Sequence, residues 1–252
     1  MDITSLKRER FDTGKHFARQ LAQHLCRALL PSYCHLCGTR AAALLCDDCF
    51  KDLPHHQENA RCRICDIDME CDAAVCGDCL KHPPSFDTLV TSYRFETPLS
   101  GIINRFKHQR GHYWADTLCK PLVAMVAKRY DSDKPPLLMP VPIHWRKRLT
   151  RGYNQSELLA AVLCKHLGVS MSRALKKTQP TKMQQGLGRK ERTKNLRGSF
   201  ECPQSLAYPH VVLVDDVVTT GATVEALAKR LKQQGVKRVD VWALARTPKK
   251  RV

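Results

Sequence analysis

The amino-acid sequence predicts an α/β protein, with a mostly parallel sheet that follows a small cysteine-rich module. Eight of the 13 cysteines form four Cys-x2-Cys pairs between positions 34 and 79. From Phe86 onward, apolar strand-like segments alternate with amphipathic helix-like segments, the pattern of a parallel sheet. The chain has 252 residues, 43% of them hydrophobic, which is enough to bury a core. We therefore expect an N-terminal helix over 1–31, a metal-binding module over 32–82 and an α/β domain over 86–252.

The excess of positive charge indicates which kind of partner the protein binds. Lys and Arg outnumber Asp and Glu by 42 to 24, and the formal net charge is +18. Such an excess predicts attraction to polyanions such as nucleic acid or phosphorylated metabolites. The sequence has no apolar run long enough to span a membrane and no apolar signal-peptide core near its start. We therefore expect a cytoplasmic location without a membrane span, where clustered cysteines bind metal more often than they form disulfides.

The N-terminal helix over 1–31 is predicted from the spacing of its apolar residues. Phe17, Leu21, Leu25 and Leu29 recur every four residues and would form one apolar face. We expect this face to pack on the cysteine-rich module, and binding to a membrane surface is the alternative.

The cysteine pairs predict zinc. A Cys-x2-Cys turn aims two sulfurs at one point, and two such turns complete a tetrahedral site. The short gaps favour joining the first pair to the second and the third to the fourth, with interleaved pairing as the alternative. All-thiolate sites leave no position open for water, so we expect one or two structural Zn²⁺. Two such sites would lower the formal charge from +18 to about +14. The predicted ligands are Cys34, Cys37, Cys46, Cys49, Cys62, Cys65, Cys76 and Cys79.

The elements of the α/β domain follow from local patterns. A polar, cationic stretch over 178–198 has weak periodicity, and a loop this long within a compact domain is usually functional or disordered. Gly168 follows an apolar helical pattern and should end that helix. In chain order we expect a strand over 86–95, helices over 99–108 and 115–130, a strand over 137–142, a helix over 155–168, a strand over 210–215, a helix over 223–235 and a strand over 238–246.

The stretch "VVLVDDVVTTGAT", residues 211–223, carries the chemistry. Ligands of parallel sheets bind at the carboxyl ends of strands, where Asp215 and Asp216 are expected. The following turn enters a helix, whose N–H groups and threonine hydroxyls suit a phosphate, and Gly221 permits close approach of the backbone. Carboxylates beside a phosphate would repel it unless they bind sugar hydroxyls or Mg²⁺. This combination favours a phosphorylated ribose, and acidic helix caps are the alternative.

The same stretch resembles the signature of the type I phosphoribosyltransferases. The resemblance implies that the sheet has the fold of that class and that its ligand is phosphoribosyl pyrophosphate (PRPP) with Mg²⁺. It also implies that Asp215 and Asp216 contact the ribose hydroxyls and form the catalytic pair if the protein is an enzyme. The residues implied to hold the 5′-phosphate are Thr219, Thr220, Gly221, Ala222 and Thr223.

Further segments resemble the ComF/GntX family of bacterial proteins. They are "PVPIHWRKRLTRGYNQSELLA" over 140–160 and "TKMQQGLGRKERTKNLRGSF" over 181–200. In that family an N-terminal zinc ribbon is fused to a phosphoribosyltransferase-like domain, and the resemblance extends from about Cys34 to Arg246. It implies a role in DNA uptake during competence or in the use of external DNA as a nutrient.

Cations in these two segments are implied to contact phosphates. Arg148 and Arg151 would bind the pyrophosphate, because guanidinium groups bind phosphate oxygens bidentately, and Lys107 is a weaker candidate. The 178–198 loop resembles a hood that closes over PRPP. The remaining candidates, for PRPP or for DNA, are Lys147, Arg189, Lys190 and Arg192.

Two functional classes follow. The first is a DNA-handling protein with a PRPP-binding domain, whose partners are PRPP, single-stranded DNA and other DNA-uptake proteins. The alternative is an active phosphoribosyltransferase acting on a nucleobase or related nitrogen acceptor, or a PRPP-sensing regulator. No segment identifies an acceptor base, and a fold with a PRPP loop does not establish turnover.

Overall fold

The computed structural model describes residues 32–56, 61–108, 111–131, 133, 135–179, 198–203 and 206–249. Their contacts divide the chain between Asp52 and Leu53 into two compact units. The helix predicted over 1–31 and the loop candidates Arg189, Lys190 and Arg192 lie outside the described residues, and the three predicted domain ranges stay a prediction. Within the described ranges, the helices are all too short or too polar to cross a membrane.

The eight elements predicted for the α/β domain are present, and the described residues add three short helices and three two-residue strands that the sequence analysis did not predict. In the described ranges the helices are α1 (Asp47–Lys51), α2 (Gly77–Lys81), α3 (Leu99–His108), α4 (Trp114–Arg129), α5 (Trp145–Arg151), α6 (Gln155–Leu167) and α7 (Ala222–Gln233). The strands are β1 (Thr88–Arg94), β2 (Leu137–Pro140), β3 (Ser170–Met171), β4 (Lys176–Lys177), β5 (Phe200–Glu201), β6 (His210–Val218) and β7 (Arg238–Arg246). The elements that were not predicted are the helices α1, α2 and α5 and the strands β3, β4 and β5.

The larger unit is built on a five-stranded parallel sheet in the order β1-β7-β6-β2-β3. The central strands β6 and β7 are buried over almost their whole length, which explains why they are apolar without alternation. Helices α4 and α6 pack on each other and on the sheet, and α7 packs on β6 and β7. The predicted α/β class with a parallel sheet is confirmed.

Local signals set the ends of the helices around the sheet. The Asn154 side chain accepts a hydrogen bond from the Ser156 amide and caps the start of α6. Gly168 ends the same helix with a left-handed φ of 70°, as predicted. Strand β6 continues to Val218, beyond its predicted end, because β7 pairs with it as far as Arg246.

The edge strand β1 is covered by the segment that carries the second group of cysteines. The Leu89 amide donates to the Ile64 carbonyl at 2.8 Å, and the Thr91 amide donates to the Asp66 carboxylate at 2.7 Å. These bonds occupy backbone donors that an exposed edge strand would otherwise offer to another chain.

A two-stranded antiparallel stem brackets the predicted cationic loop. In this stem Lys177 of β4 pairs with Phe200 of β5, and the Thr178 amide donates to the Ser199 carbonyl at 3.0 Å. The described ends of the 178–198 stretch are therefore held side by side.

Candidate functional site

The acidic pair, Asp215 and Asp216, lies on β6 just past the point where its neighbour β2 ends. Strand β2 ends at Pro140, which pairs with Val214, so Asp215 and Asp216 lie beyond the end of that neighbouring strand. An Asp215 carboxylate oxygen accepts from the Ser156 hydroxyl at 3.2 Å and from the Asp216 amide at 2.9 Å. The acids therefore lie within β6, two and three residues before its end, beside the point where β2 stops, rather than at the end of their own strand as expected.

Asp216 is paired with a lysine from another element. Its Oδ2 lies 3.0 Å from Nζ of Lys107, which is in the last turn of α3. The sequence ranked Lys107 as a weak pyrophosphate candidate, and the structure brings it to the acidic pair itself. Ser156 was missed, although its position beside the helix cap Asn154 in "GYNQS" is a signal that could have found it.

The two carboxyl groups differ in their surroundings. Burial and the neighbouring Asp216 carboxylate raise the pKa of Asp215 to about 7. Lys107 and the hydrogen bonds from the Asp216 amide and Ser156 act in the opposite direction. The site therefore contains a carboxyl group that titrates near neutral pH, a property concentrated at functional sites.

The predicted phosphate loop turns directly into α7. Gly221 has a left-handed φ of 78° immediately before the first helical residue, Ala222. A side chain at Gly221 would be strained by this backbone conformation, which explains the glycine. The Ala222 amide donates to the Thr220 hydroxyl at 3.4 Å, and the loop presents the amino-terminal turn of a 12-residue helix. Such a terminus favours an anion.

Arg246, which the sequence analysis missed, binds backbone carbonyl groups at the start of this loop. Nη1 of Arg246, the last residue of β7, donates to the Val218 carbonyl at 2.9 Å and also to the Thr219 carbonyl. Its Nε donates to the Cys65 carbonyl at 3.2 Å. One half-buried guanidinium therefore joins the candidate phosphate loop to a turn of the second cysteine group.

Basic side chains gather beside the acidic pair. Burial together with the charges of Arg151 and Lys107 lowers the pKa of Lys147. Burial and the charge of Lys147 lower the pKa of Lys177 to about 8. Burial and the same three neighbouring cations, Arg151, Lys107 and Lys147, lower the pKa of His108. Cations that depress one another's pKa values favour a bound anion, because it relieves their repulsion. The sequence analysis did not identify Lys177.

The two predicted pyrophosphate arginines have different partners. Arg148 binds Glu157 through both terminal nitrogens, at 2.8 and 3.2 Å. Arg151 donates to the Gln155 amide oxygen at 3.3 Å, and Gln155 donates to the Lys107 carbonyl at 3.3 Å. These bonds join α5, α6 and α3 around the site. Arg151 donates to a neutral amide, whereas Arg148 is held by both oxygens of a carboxylate. Pyrophosphate binding by Arg148 and Arg151 stays a prediction.

The eight predicted cysteines form two tetrads, in the simpler of the two pairings. One contains Cys34, Cys37, Cys46 and Cys49, and the other contains Cys62, Cys65, Cys76 and Cys79, with the sulfurs of each group within 4.8 Å of one another. Within them the Cys37–Cys46 and Cys65–Cys76 sulfurs are each 3.7 Å apart. A regular tetrahedron with Zn–S bonds of about 2.3 Å requires sulfurs about 3.8 Å apart. The spacing therefore fits zinc.

The electrostatics of the second tetrad also fit a cation. Burial and the neighbouring Cys65 thiolate raise the pKa of Cys79. Burial also acts to raise the pKa of Cys62, but backbone N–H groups of Cys65 and Cys76 bring it down to about 7. Four thiolates this close repel one another unless a cation lies between them. All cysteines of the described ranges are free thiols, and the two tetrads could bind structural zinc.

Comparison with known proteins agrees with this architecture. Residues 149–252 match the phosphoribosyl transferase domain. "Competence protein F" of Haemophilus influenzae is 37% identical over 210 residues, which cover 80% of this chain and 90% of that protein. "DNA utilization protein YhgH" is 32% identical in Salmonella typhimurium and 33% in Escherichia coli K12, in each case over 225 residues that cover 86% of this chain and 98% of the relative. A solved hypoxanthine phosphoribosyltransferase of Staphylococcus aureus aligns over 56% of this chain and 67% of its own, with 17% identity and a TM-score of 0.35, too low to support an inference.

Proposed function

This chain belongs to the family of competence protein F and DNA utilization protein YhgH, and we propose that it acts in the uptake or utilisation of DNA. The names of these relatives and the formal charge of +18 support a role on a polyanion. We also propose that it works in the cytoplasm, where a reducing environment would keep both cysteine tetrads available to zinc, and that it acts there with single-stranded DNA and other DNA-uptake proteins.

The phosphoribosyl transferase domain would bind PRPP with Mg²⁺. The observation that carries this proposal is the acidic pair at the open edge of the sheet, next to a helix N-terminus and a group of cations. Asp215 and Asp216 would accept hydrogen bonds from the two ribose hydroxyls. Their negative charge would also attract the Mg²⁺ that neutralises part of the pyrophosphate.

The other residues would hold the phosphates. Backbone amides and hydroxyls from Thr219 to Thr223 would bind the 5′-phosphate at the start of α7. Lys147 and Arg151 would face the pyrophosphate, and Lys107 would exchange its pairing with Asp216 for a contact to the ligand. In an active enzyme the same groups would stabilise the departing pyrophosphate while a nitrogen nucleophile attacks the ribose.

Calorimetric titration of Mg–PRPP into the zinc-loaded protein tests the proposal. We expect wild-type protein to bind and an Asp215→Ala, Asp216→Ala double variant to lose most of the affinity. Asp131→Ala is the matched control, because Asp131 is an exposed acid just beyond α4. Absence of binding to the wild type would contradict a PRPP site. Release of pyrophosphate with a nucleobase acceptor, abolished by Asp216→Asn, would identify the protein as an enzyme.

A further inference from the structure

We propose that helix α5 is the surface that binds single-stranded DNA, by stacking a base on Trp145 and pairing Arg146, which takes no part in the proposed PRPP site, with a flanking phosphate. This inference rests on the proposed role in DNA handling and assigns that role to one helix. The helix, "WRKRLTR", has no buried residue, although it lies between the buried strand β2 and the largely apolar helix α6.

Exposed apolar groups on α5 are the first observation. The Trp145 side chain is 55% exposed and the Leu149 side chain is 75% exposed. They are four positions apart and therefore lie on the same side of the helix. Leaving two large apolar groups in water is unfavourable, so their position on a short surface helix points to a partner.

The charge of the helix identifies the kind of partner. Arg146, Lys147, Arg148 and Arg151 give four cations within seven residues, and the helix contains no acid. Among the described residues, Glu157 of α6 pairs with Arg148 of this helix. Partial burial and the charges of Arg151 and Lys107 lower the pKa of Lys147, in keeping with a dense group of cations. The surface is therefore complementary to a chain of phosphates.

The aromatic ring selects single strands over duplexes. The Arg146 guanidinium carbon lies over the Trp145 ring, 5.3 Å from its centroid, so a cation covers one face of the indole. Unpaired bases can stack on an exposed indole whatever their sequence, whereas the bases of a duplex are already stacked on one another. An acidic protein could form ion pairs with the cations, but it has no bases to stack on the Trp145 ring.

The tryptophans of this protein provide a direct probe. The chain has three, and Trp114 and Trp242 are fully buried, so a ligand that touches the surface can quench only Trp145. We expect a short oligothymidylate strand, titrated at low salt, to quench the intrinsic fluorescence. Trp145→Ala should abolish the quenching and weaken binding, followed by anisotropy of a labelled strand, by about tenfold.

Matched variants separate this surface from general charge effects. Arg146→Gln should weaken binding and flatten its dependence on salt, because one phosphate contact is lost. Lys128→Gln, which removes an exposed cation at the end of α4, should change binding much less. Thermal unfolding of each variant shows whether it is folded.

Three outcomes would overturn the inference. DNA binding that leaves Trp145 unquenched and survives Trp145→Ala would place the DNA elsewhere, while the proposed role in DNA handling would stand. Quenching by polyglutamate but not by oligothymidylate would identify an acidic protein as the partner. No binding of oligothymidylate to the wild type at low salt would contradict this inference together with direct DNA binding, whereas the PRPP titration would be unaffected.

Discussion

Asp215 is the residue whose surroundings most directly affect its chemistry. Burial and Asp216 disfavour its ionised form, whereas Lys107 and the hydroxyl of Ser156 favour it. The balance places its pKa at about 7, above the value of about 4 usual for an aspartate. The carboxyl group therefore changes charge within the range of cellular pH.

This shift predicts a dependence of stability on pH. Because the folded state holds the Asp215 proton more tightly than the unfolded state, the associated stabilisation is fully present below about pH 4 and is lost as the pH rises through about 7. Thermal unfolding from pH 5 to pH 8 should show a decrease in Tm for the wild type that is smaller in Asp215→Asn. Parallel curves for the two proteins would contradict the raised pKa.

At the scale of elements, the phosphate loop depends on the end of a neighbouring strand. Arg246 of β7 is bound to the carbonyls of Val218 and Thr219 on one side and of Cys65 on the other. Without this guanidinium, carbonyl groups at the base of the loop would lose their donor, and the loop would be less rigidly held.

We expect Arg246→Met to lower the free energy of unfolding by about 2 kcal/mol, since several hydrogen bonds from a charged, half-buried donor are lost. The affinity for Mg–PRPP should fall by about tenfold, as the loop must be ordered on binding. Urea unfolding and calorimetry measure the two effects. Lys232→Met is the control, because it removes only a surface ion pair with Asp87. Unchanged PRPP affinity in Arg246→Met would show that the loop does not need this support.

Elements with strong local signals could be predicted from the sequence. The helix that ends at Gly168 and the apolar strands β6 and β7 are examples, because caps and uninterrupted apolar runs act locally. The two-residue strands β3, β4 and β5 could not, since two residues carry no periodicity. The acidic pair was found from its motif. The helix cap before Ser156 is a local signal for that residue, but the contacts of Ser156 with Asp215 and of Arg246 with Val218 arise from tertiary packing.

At the scale of the whole sheet, its two ends have different roles. The carboxyl end carries the candidate PRPP site, and near the amino end a buried ion network surrounds Asp240. The Asp240 carboxylate lies 2.9 Å from both His210 and Arg238 and accepts a hydrogen bond from Tyr130 at 3.0 Å. These partners hold the pKa of Asp240 below its usual range although burial raises it.

This separation predicts opposite effects of two substitutions. Asp240→Ala should reduce the free energy of unfolding by about 3–5 kcal/mol, because Arg238 loses its counter-charge and His210 and Tyr130 lose a buried hydrogen-bond partner, while the folded protein keeps its affinity for Mg–PRPP. Asp216→Asn should reduce the affinity with a much smaller effect on stability. Urea unfolding and PRPP titration of both variants test this contrast, and a loss of affinity in folded Asp240→Ala would show that the two ends are coupled.

The cover of β1 has a consequence for the life of the protein in the cell. The hydrogen bonds from β1 to Ile64 and Asp66 depend on a segment folded around the second cysteine tetrad. A newly made chain that has not acquired its metal would present a bare strand, ready to associate with other copies or to be degraded. Zinc supply would then act as a checkpoint in maturation, and cells starved of zinc should contain less of the protein at unchanged rates of synthesis.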